Sequence, residues 1–192
     1  EAIKIDPWHF YAWYHKGTAL RSLGRHQEAL RAYDEVIKIE PQNAEAWVGR
    51  GHALHSLGRH QEALRAYDEA IKNDPQSSFG WYHKADMLLS LGRHEEALQA
   101  LDEAIKNDPQ SSFRWYYKAE ALRKLERWDD AREAFQKAME LGHPEARAAL
   151  WKLCRETRRG YGAMIFGSTV LQMLLAGLIG GGLVGPVEAG LA

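Results

Sequence analysis

The chain has 192 residues, with 25 Lys or Arg against 26 Asp or Glu, and is 45% hydrophobic. A net charge of −1 excludes a global electrostatic pull toward nucleic acid or anionic lipid. One cysteine, Cys154, excludes an internal disulfide and reads as a small apolar residue on a helix.

In chain order, Glu1–Pro7, EAIKIDP, matches EVIKIEP at Glu35–Pro41 and EAIKNDP at Glu69–Pro75. It is therefore expected to be the end of a preceding unit, in a chain that continues a longer array. SLGRHQEALRAYDE at Ser22–Glu35 recurs unchanged at Ser56–Glu69. It returns as SLGRHEEALQALDE at Ser90–Glu103 and as KLERWDDAREAFQK at Lys124–Lys137. Pro7, Pro41, Pro75 and Pro109 are spaced by 34 residues, as are Trp13, Trp47, Trp81 and Trp115. A period of this size means one supersecondary unit stacked along a solenoid.

Each unit predicts two helices. The first runs from about Ala44 to Leu57, with Trp47, Gly51 and Leu54 on one face. Gly58 ends it, because glycine takes the positive φ of a helix C-terminus without strain. Glu126 replaces that glycine in the last unit. The second runs from about His60 to Asn73, where Ala63, Leu64, Tyr67, Ala70 and Ile71 form an apolar stripe. Pro75 stops it, and Ser77 or Ser78 is expected to cap the next helix. Gly51, Ala63 and Ala70 let the paired helices approach, and Trp47, Leu54 and Tyr67 fill the space between them.

Trp47, Gly51, Leu54, Ala63, Tyr67, Ala70 and Pro75 stand at the offsets of the tetratricopeptide repeat. Trp13, Gly17, Leu20, Ala29, Tyr33, Val36 and Pro41 do so in the unit before. Trp81, Ala85, Leu88, Ala97, Leu101, Ala104 and Pro109 follow, then Trp115, Ala119, Leu122, Ala131, Phe135 and Ala138. The chain thus resembles the tetratricopeptide repeat family over about residues 1–143. The resemblance implies an all-α fold, a right-handed superhelical α-solenoid of helix-turn-helix repeats. The expected organisation is the end of a preceding repeat at 1–7, four repeats at 8–143, a capping helix at 144–159 and an apolar Gly-rich tail at 160–192. The cap would bury Ala146, Ala149, Leu150, Leu153 and Cys154 and leave Trp151 on its other face.

The tail carries no charged side chain from Gly160 to Val187. Two readings stay open. In one it is an assembly element, and Gly177, Gly181 and Gly185 line a helix face that lets another backbone come close. In the other, residues 163–185 form a transmembrane helix, long enough to span a bilayer. Arg155, Arg158 and Arg159 just before it would then keep the repeats cytoplasmic.

No residue set calls for catalysis. His26, His60 and His94 recur one per unit, too far apart to share a metal whose ligand distances are about 2 Å. His52 and His55 stand at i, i+3, a spacing that is weak on its own. No phosphate loop and no nucleophile with a histidine and carboxylate partner stands out. The chain is expected to be no enzyme and to bind no cofactor, metal or nucleic acid.

In tetratricopeptide arrays the first helix of each unit lines a concave groove where partners bind. Carried over, this places Tyr11, Tyr14, His15 and Thr18 in the groove from the first unit. Glu45, Val48, His52 and His55 follow, then Phe79, Tyr82, His83 and Asp86, then Phe113, Tyr116, Tyr117 and Glu120. The basic, Asn-rich clamp that some members use for a peptide carboxylate is not reproduced, because its positions carry Tyr14, Thr18, Gly49, Phe79 and His83, or in the next register Val48, His52, His83, Phe113 and Tyr117. An apolar or amphipathic segment is the expected guest. The expected function is a non-catalytic protein-interaction scaffold whose groove takes a helical or extended segment. The tail of a neighbouring copy would serve, giving a homo-oligomer or filament. The alternative is a membrane-anchored adaptor of the same fold.

Overall fold

The computed structural model describes residues 9–158. By its contacts the chain divides into a unit Glu1–Cys154 and a second unit Arg155–Ala192. Among the described residues all regular structure is helical. Four pairs follow one another: α1 Phe10–Ser22 with α2 His26–Ile39, α3 Ala44–Ser56 with α4 His60–Asn73, α5 Ser78–Ser90 with α6 His94–Asn107, and α7 Ser112–Lys124 with α8 Trp128–Glu140. A further helix, α9, spans Ala146–Arg158. The expected all-α repeat solenoid is the observed fold. The tail glycines Gly177, Gly181 and Gly185, and the segment 163–185, lie outside the described residues.

The turn inside each pair closes the same way. Arg59 N–H donates to the Leu54 carbonyl at 2.9 Å and Gly58 N–H to that of His55 at 2.8 Å. This six-to-one closure needs a left-handed residue at Gly58, whose φ is +73°. Glu126 adopts φ +57° at the same place in the last unit, although it has a side chain. The expected serine caps are not formed. Ser77 and Ser111 precede α5 and α7 but their side chains do not cap. Ser77 instead donates its backbone N–H to Asp74 Oδ1 at 3.1 Å. Asn43 does cap α3, accepting from Ala46 N–H at 2.9 Å.

The recurrent Trp and Pro belong to one device. Trp47, Trp81 and Trp115 donate their indole N–H to the carbonyls of Pro41, Pro75 and Pro109, at 2.8, 3.0 and 3.0 Å. Each bond ties a first helix to the turn before it. A second ladder joins consecutive pairs through Arg50–Asp34, Lys84–Asp68 and Lys118–Asp102, at 2.8, 2.7 and 2.6 Å. These pairs are partly exposed, so each adds little stability. Their contribution is register, since a slip of one position would separate every pair at once.

Each first helix packs on its own second helix, on the preceding second helix and on the neighbouring first helices. The second helices meet first helices on both sides rather than one another. First helices are therefore crowded together and second helices splayed apart, which puts the first helices on the concave side. Tyr33, Tyr67, Leu101 and Phe135 plug successive pairs and are almost fully buried. At the far end Ala149, Leu150 and Leu153 of α9 pack against the cluster around Leu122 and Phe135. Trp151 is 57% exposed. No helix among the described residues is long and apolar enough to cross a membrane.

Candidate functional site

Each first helix turns two kinds of residue inward. Val48 packs on the core and His52 meets Tyr67, while His83 and Tyr117 reach back to His52 and Tyr82 of the preceding units. The second kind knits the inner face together. His83 meets His52 edge-on with ring centroids 4.2 Å apart, and Tyr117 meets Tyr82 at 5.6 Å.

From these contacts a run of rings extends over three units. Phe79 lies 6.3 Å from His83, and His83 lies 5.0 Å from Tyr82. Tyr117 passes the run to Tyr116 at 5.9 Å, and Tyr116 stacks on His143 at 4.1 Å. Phe113 closes it, 4.8 Å from His143. Seven of the expected groove residues thus share one surface: His52, Phe79, Tyr82, His83, Phe113, Tyr116 and Tyr117. Tyr11, Tyr14 and His15 form a separate group on α1. Tyr14 reaches Tyr33 edge-on at 6.0 Å and His15 at 5.8 Å, and Tyr11 stands 4.0 Å from Phe10. Tyr11, Phe79 and Phe113 are 56%, 63% and 54% exposed, so their rings are open to solvent.

Three residues shape this surface although the repeat pattern gave them no place in the groove. Arg114 is buried and ion-paired to Asp108, and it donates from Nη2 to Ser78 Oγ at 2.8 Å. Its guanidinium lies about 6 Å from the rings of Phe79 and Tyr82, within cation–π range. The signal was present in register, since Ala12, Ala46 and Gly80 occupy the matching positions of the other units. His143 sits in the Leu141-Gly142-His143-Pro144 turn, where the repeat pattern fails. Arg21 sits seven residues after Tyr14, in register with His55. Replacing Arg114 by Met keeps the stem and removes the guanidinium. We expect Arg114→Met to lower stability by about 1–3 kcal/mol, read as a lower urea midpoint, and an unchanged midpoint would reject this anchoring role.

The electrostatics of the face are those of a dry, mostly neutral surface. Burial holds the His52 imidazole down to about 3, helped by the charges of His83, Arg21 and His55. Burial also holds His83 down to about 4, with Arg21 and Arg114 adding to it. Both rings are therefore neutral at pH 7. Burial raises the Tyr67 and Tyr82 phenols and the Asp86 carboxyl. Tyr67 Oη lies 3.5 Å from His52 Nδ1, and Tyr33 Oη lies 3.3 Å from Thr18 Oγ1 at the matching place of the first unit. In the third and fourth units Leu101 and Phe135 replace these tyrosines, so Asp86 and Glu120 receive no such hydroxyl. No three His, Cys, Asp or Glu among the described residues converge as metal ligands. The arrangement can offer ring area, hydroxyls and a few charges, which is the chemistry of recognition.

Comparison with known proteins agrees with this geometry. A model described as the tetratricopeptide repeat matches residues 14–78, and one described as subunit 3 of the anaphase-promoting complex, or cyclosome, matches residues 65–138. No curated protein sequence matches significantly. Among solved structures, a double mutant of MamA is 24% identical with a TM-score of 0.70, over 77% of this chain and 84% of its own. YrrB, described as a TPR protein with an unusual peptide-binding site, is 18% identical with a TM-score of 0.68, over 82% of each chain. A MamA fragment from Desulfovibrio magneticus RS-1 is 23% identical with a TM-score of 0.64, over 80% of this chain and 97% of its own. At such identities the likeness shows the fold.

Proposed function

Because residues 14–138 of this chain belong to the tetratricopeptide repeat family, we propose that it is a non-catalytic protein-interaction scaffold whose concave groove takes a helical or extended segment. Members of the family are generally scaffolds of this kind. The observation that carries the reading is the run of rings from His52 to Phe113, with Phe79 and Phe113 more than half exposed at its edge. Aromatic side chains give large contact area at low entropy cost, so such a face gains from being covered.

The proposal takes residues 8–143 as four repeats, 144–159 as the helix that caps them, and 160–192 as the guest of a neighbouring copy. An apolar tail and an aromatic groove on one chain make a heterologous contact. Such a contact closes into a ring or runs on as a filament. The groove contacts are expected from Tyr11, Tyr14, His15, His52, Phe79, Tyr82, His83, Phe113, Tyr116 and Tyr117, with Gly177, Gly181 and Gly185 on the tail.

Light scattering of the full chain tests this. Deleting residues 160–192 should shift the particle toward the monomer mass. The pair Phe79→Ser and Phe113→Ser, which removes exposed rings without opening the core, should do the same. Particle size unchanged in both variants would overturn the reading. Flotation of the full chain with phosphatidylcholine vesicles would instead favour the membrane-anchored adaptor.

A further inference from the structure

Arginines are placed unevenly in this molecule. Arg25, Arg50, Arg59, Arg93, Arg114, Arg123, Arg127 and Arg132 each have a carboxylate partner. Arg31, Arg65, Arg147 and Arg155 have none among the described residues but are exposed, where water solvates the charge. Arg21 is different. It is half-buried in the last turn of α1, and its Nε is shut off from solvent with no hydrogen-bond partner among the described residues.

Its surroundings show where the charge is felt. The Arg21 guanidinium acts on Tyr14, His52, Tyr67 and His83. It therefore lies at the end of the groove where the inner faces of α1, α3 and α5 meet. None of those four side chains is an anion. Asp86, the half-buried carboxyl of α5, also acts on Tyr67 but makes no ion pair with Arg21 among the described residues. Glu45 is exposed and is turned to the Tyr14 phenol. Among the described residues the groove thus holds a semi-dry cation that lacks a counter-charge from its own chain.

The segment proposed as guest carries the complement. Residues 160–192 contain a single charged side chain, Glu188, flanked by Pro186, Val187, Ala189 and Gly190. A carboxylate taken out of water along with an apolar segment is costly unless it meets a cation. At the far end of the groove Arg123 is already paired with Glu120 at 2.7 Å, so that end offers the carboxylate no uncommitted cation. Building on the proposed tail-in-groove function, we propose that Glu188 of one copy docks on Arg21 of the next, and that this pair sets the direction in which the tail lies.

Charge reversal in the full-length chain tests the pair. Arg21→Glu and Glu188→Arg should each raise the concentration needed for half-assembly by at least about tenfold. The double variant should assemble like the wild type. An equimolar mixture of the two single variants should assemble as the wild type does, although each variant alone does not. In that mixture the acidic groove of the Arg21→Glu chain accepts the basic tail of the Glu188→Arg chain. The remaining groove and tail carry Arg21 and Glu188, the native pair, so the contacts continue with the two chains alternating. Arg21→Gln and Glu188→Gln, checked for helix content by circular dichroism, guard against misfolding of the reversed chains and should weaken assembly less than the reversals do. Single variants that assemble like the wild type, or a double variant as weak as the singles, would overturn the pair. A rescued double variant whose single-variant mixture fails to assemble would overturn docking between copies. If deleting residues 160–192 dissociates the particle while Arg21→Glu does not, the pair fails and the tail-in-groove reading stands. If the deletion leaves particle size unchanged, that reading fails as well.

Discussion

Replacing Gly51 by Ala is expected to destabilise the protein by about 1–3 kcal/mol, although alanine is the better helix former by about 1 kcal/mol. A Cβ at Gly51 would lie 2.8 Å from Tyr67 Cδ1 and Cζ, and closer still to Cε1. Tyr67 is 1% exposed and packed between α3 and α4, so its ring has nowhere to swing. The helices must separate or the ring must leave its rotamer, and either outcome costs more than the propensity returns. The third unit shows the compensation, since Ala85 replaces the glycine and Leu101 replaces the tyrosine. The double change Gly51→Ala with Tyr67→Leu should therefore recover much of the loss, as neighbours in contact do not add independently. Urea unfolding of the three variants measures this. A Gly51→Ala protein as stable as the wild type would show that the close approach is not a constraint.

Acidification should weaken the fold through His52 and His83. Their folded imidazoles titrate at about 3 and about 4, whereas the unfolded chain takes up these protons near the ordinary histidine value of 6.5. Below pH 6.5 the unfolded state binds more protons, so the stabilisation is fully present above that pH. It is lost as pH falls toward the folded values, at about 1.4 kcal/mol per pH unit for each ring. Asp86 works in the opposite sense, because its raised value favours the folded state as protons are added. The window from pH 6.5 to pH 5 is the one in which the histidines should dominate. Unfolding free energies there should slope upward with pH in the wild type and much less in the double variant His52→Gln with His83→Gln. Parallel slopes would place these rings in water rather than in the dry seam between α3 and α5.

The two predictions differ in how far the sequence anticipates them. Gly51 and Tyr67 stand in a 34-residue register that already marks them as a close contact. His52 and His83 do not, because nothing in their spacing shows that they face one another across two helices. The same division runs through the groove. Phe79, Tyr82, Phe113 and Tyr116 are legible as an inner face once the units are aligned. Arg114 shows only as a large residue where Ala46 and Gly80 are small, and its bond to Ser78 spans a whole unit. Arg21 is in register with His55, yet its lack of a counter-charge among the described residues is a property of its neighbours. The serines before α5 and α7 mislead for a related reason. Their side chains have the chemistry of a cap, but Asp74 Oδ1 accepts the Ser77 N–H and the turn is closed without them.

By itself the sequence determined the period, the helix pairs, the turns at Gly24, Gly58 and Gly92, and the family. Each of these rests on bonds and packing between residues close in the chain or one period apart, so every repeat states them again. Only the tertiary structure decided which rings touch, which histidines stay neutral, and which half-buried arginine has no anion among the described residues. Those properties depend on burial and on distances between helices of different units, where the repeats are not copies of one another.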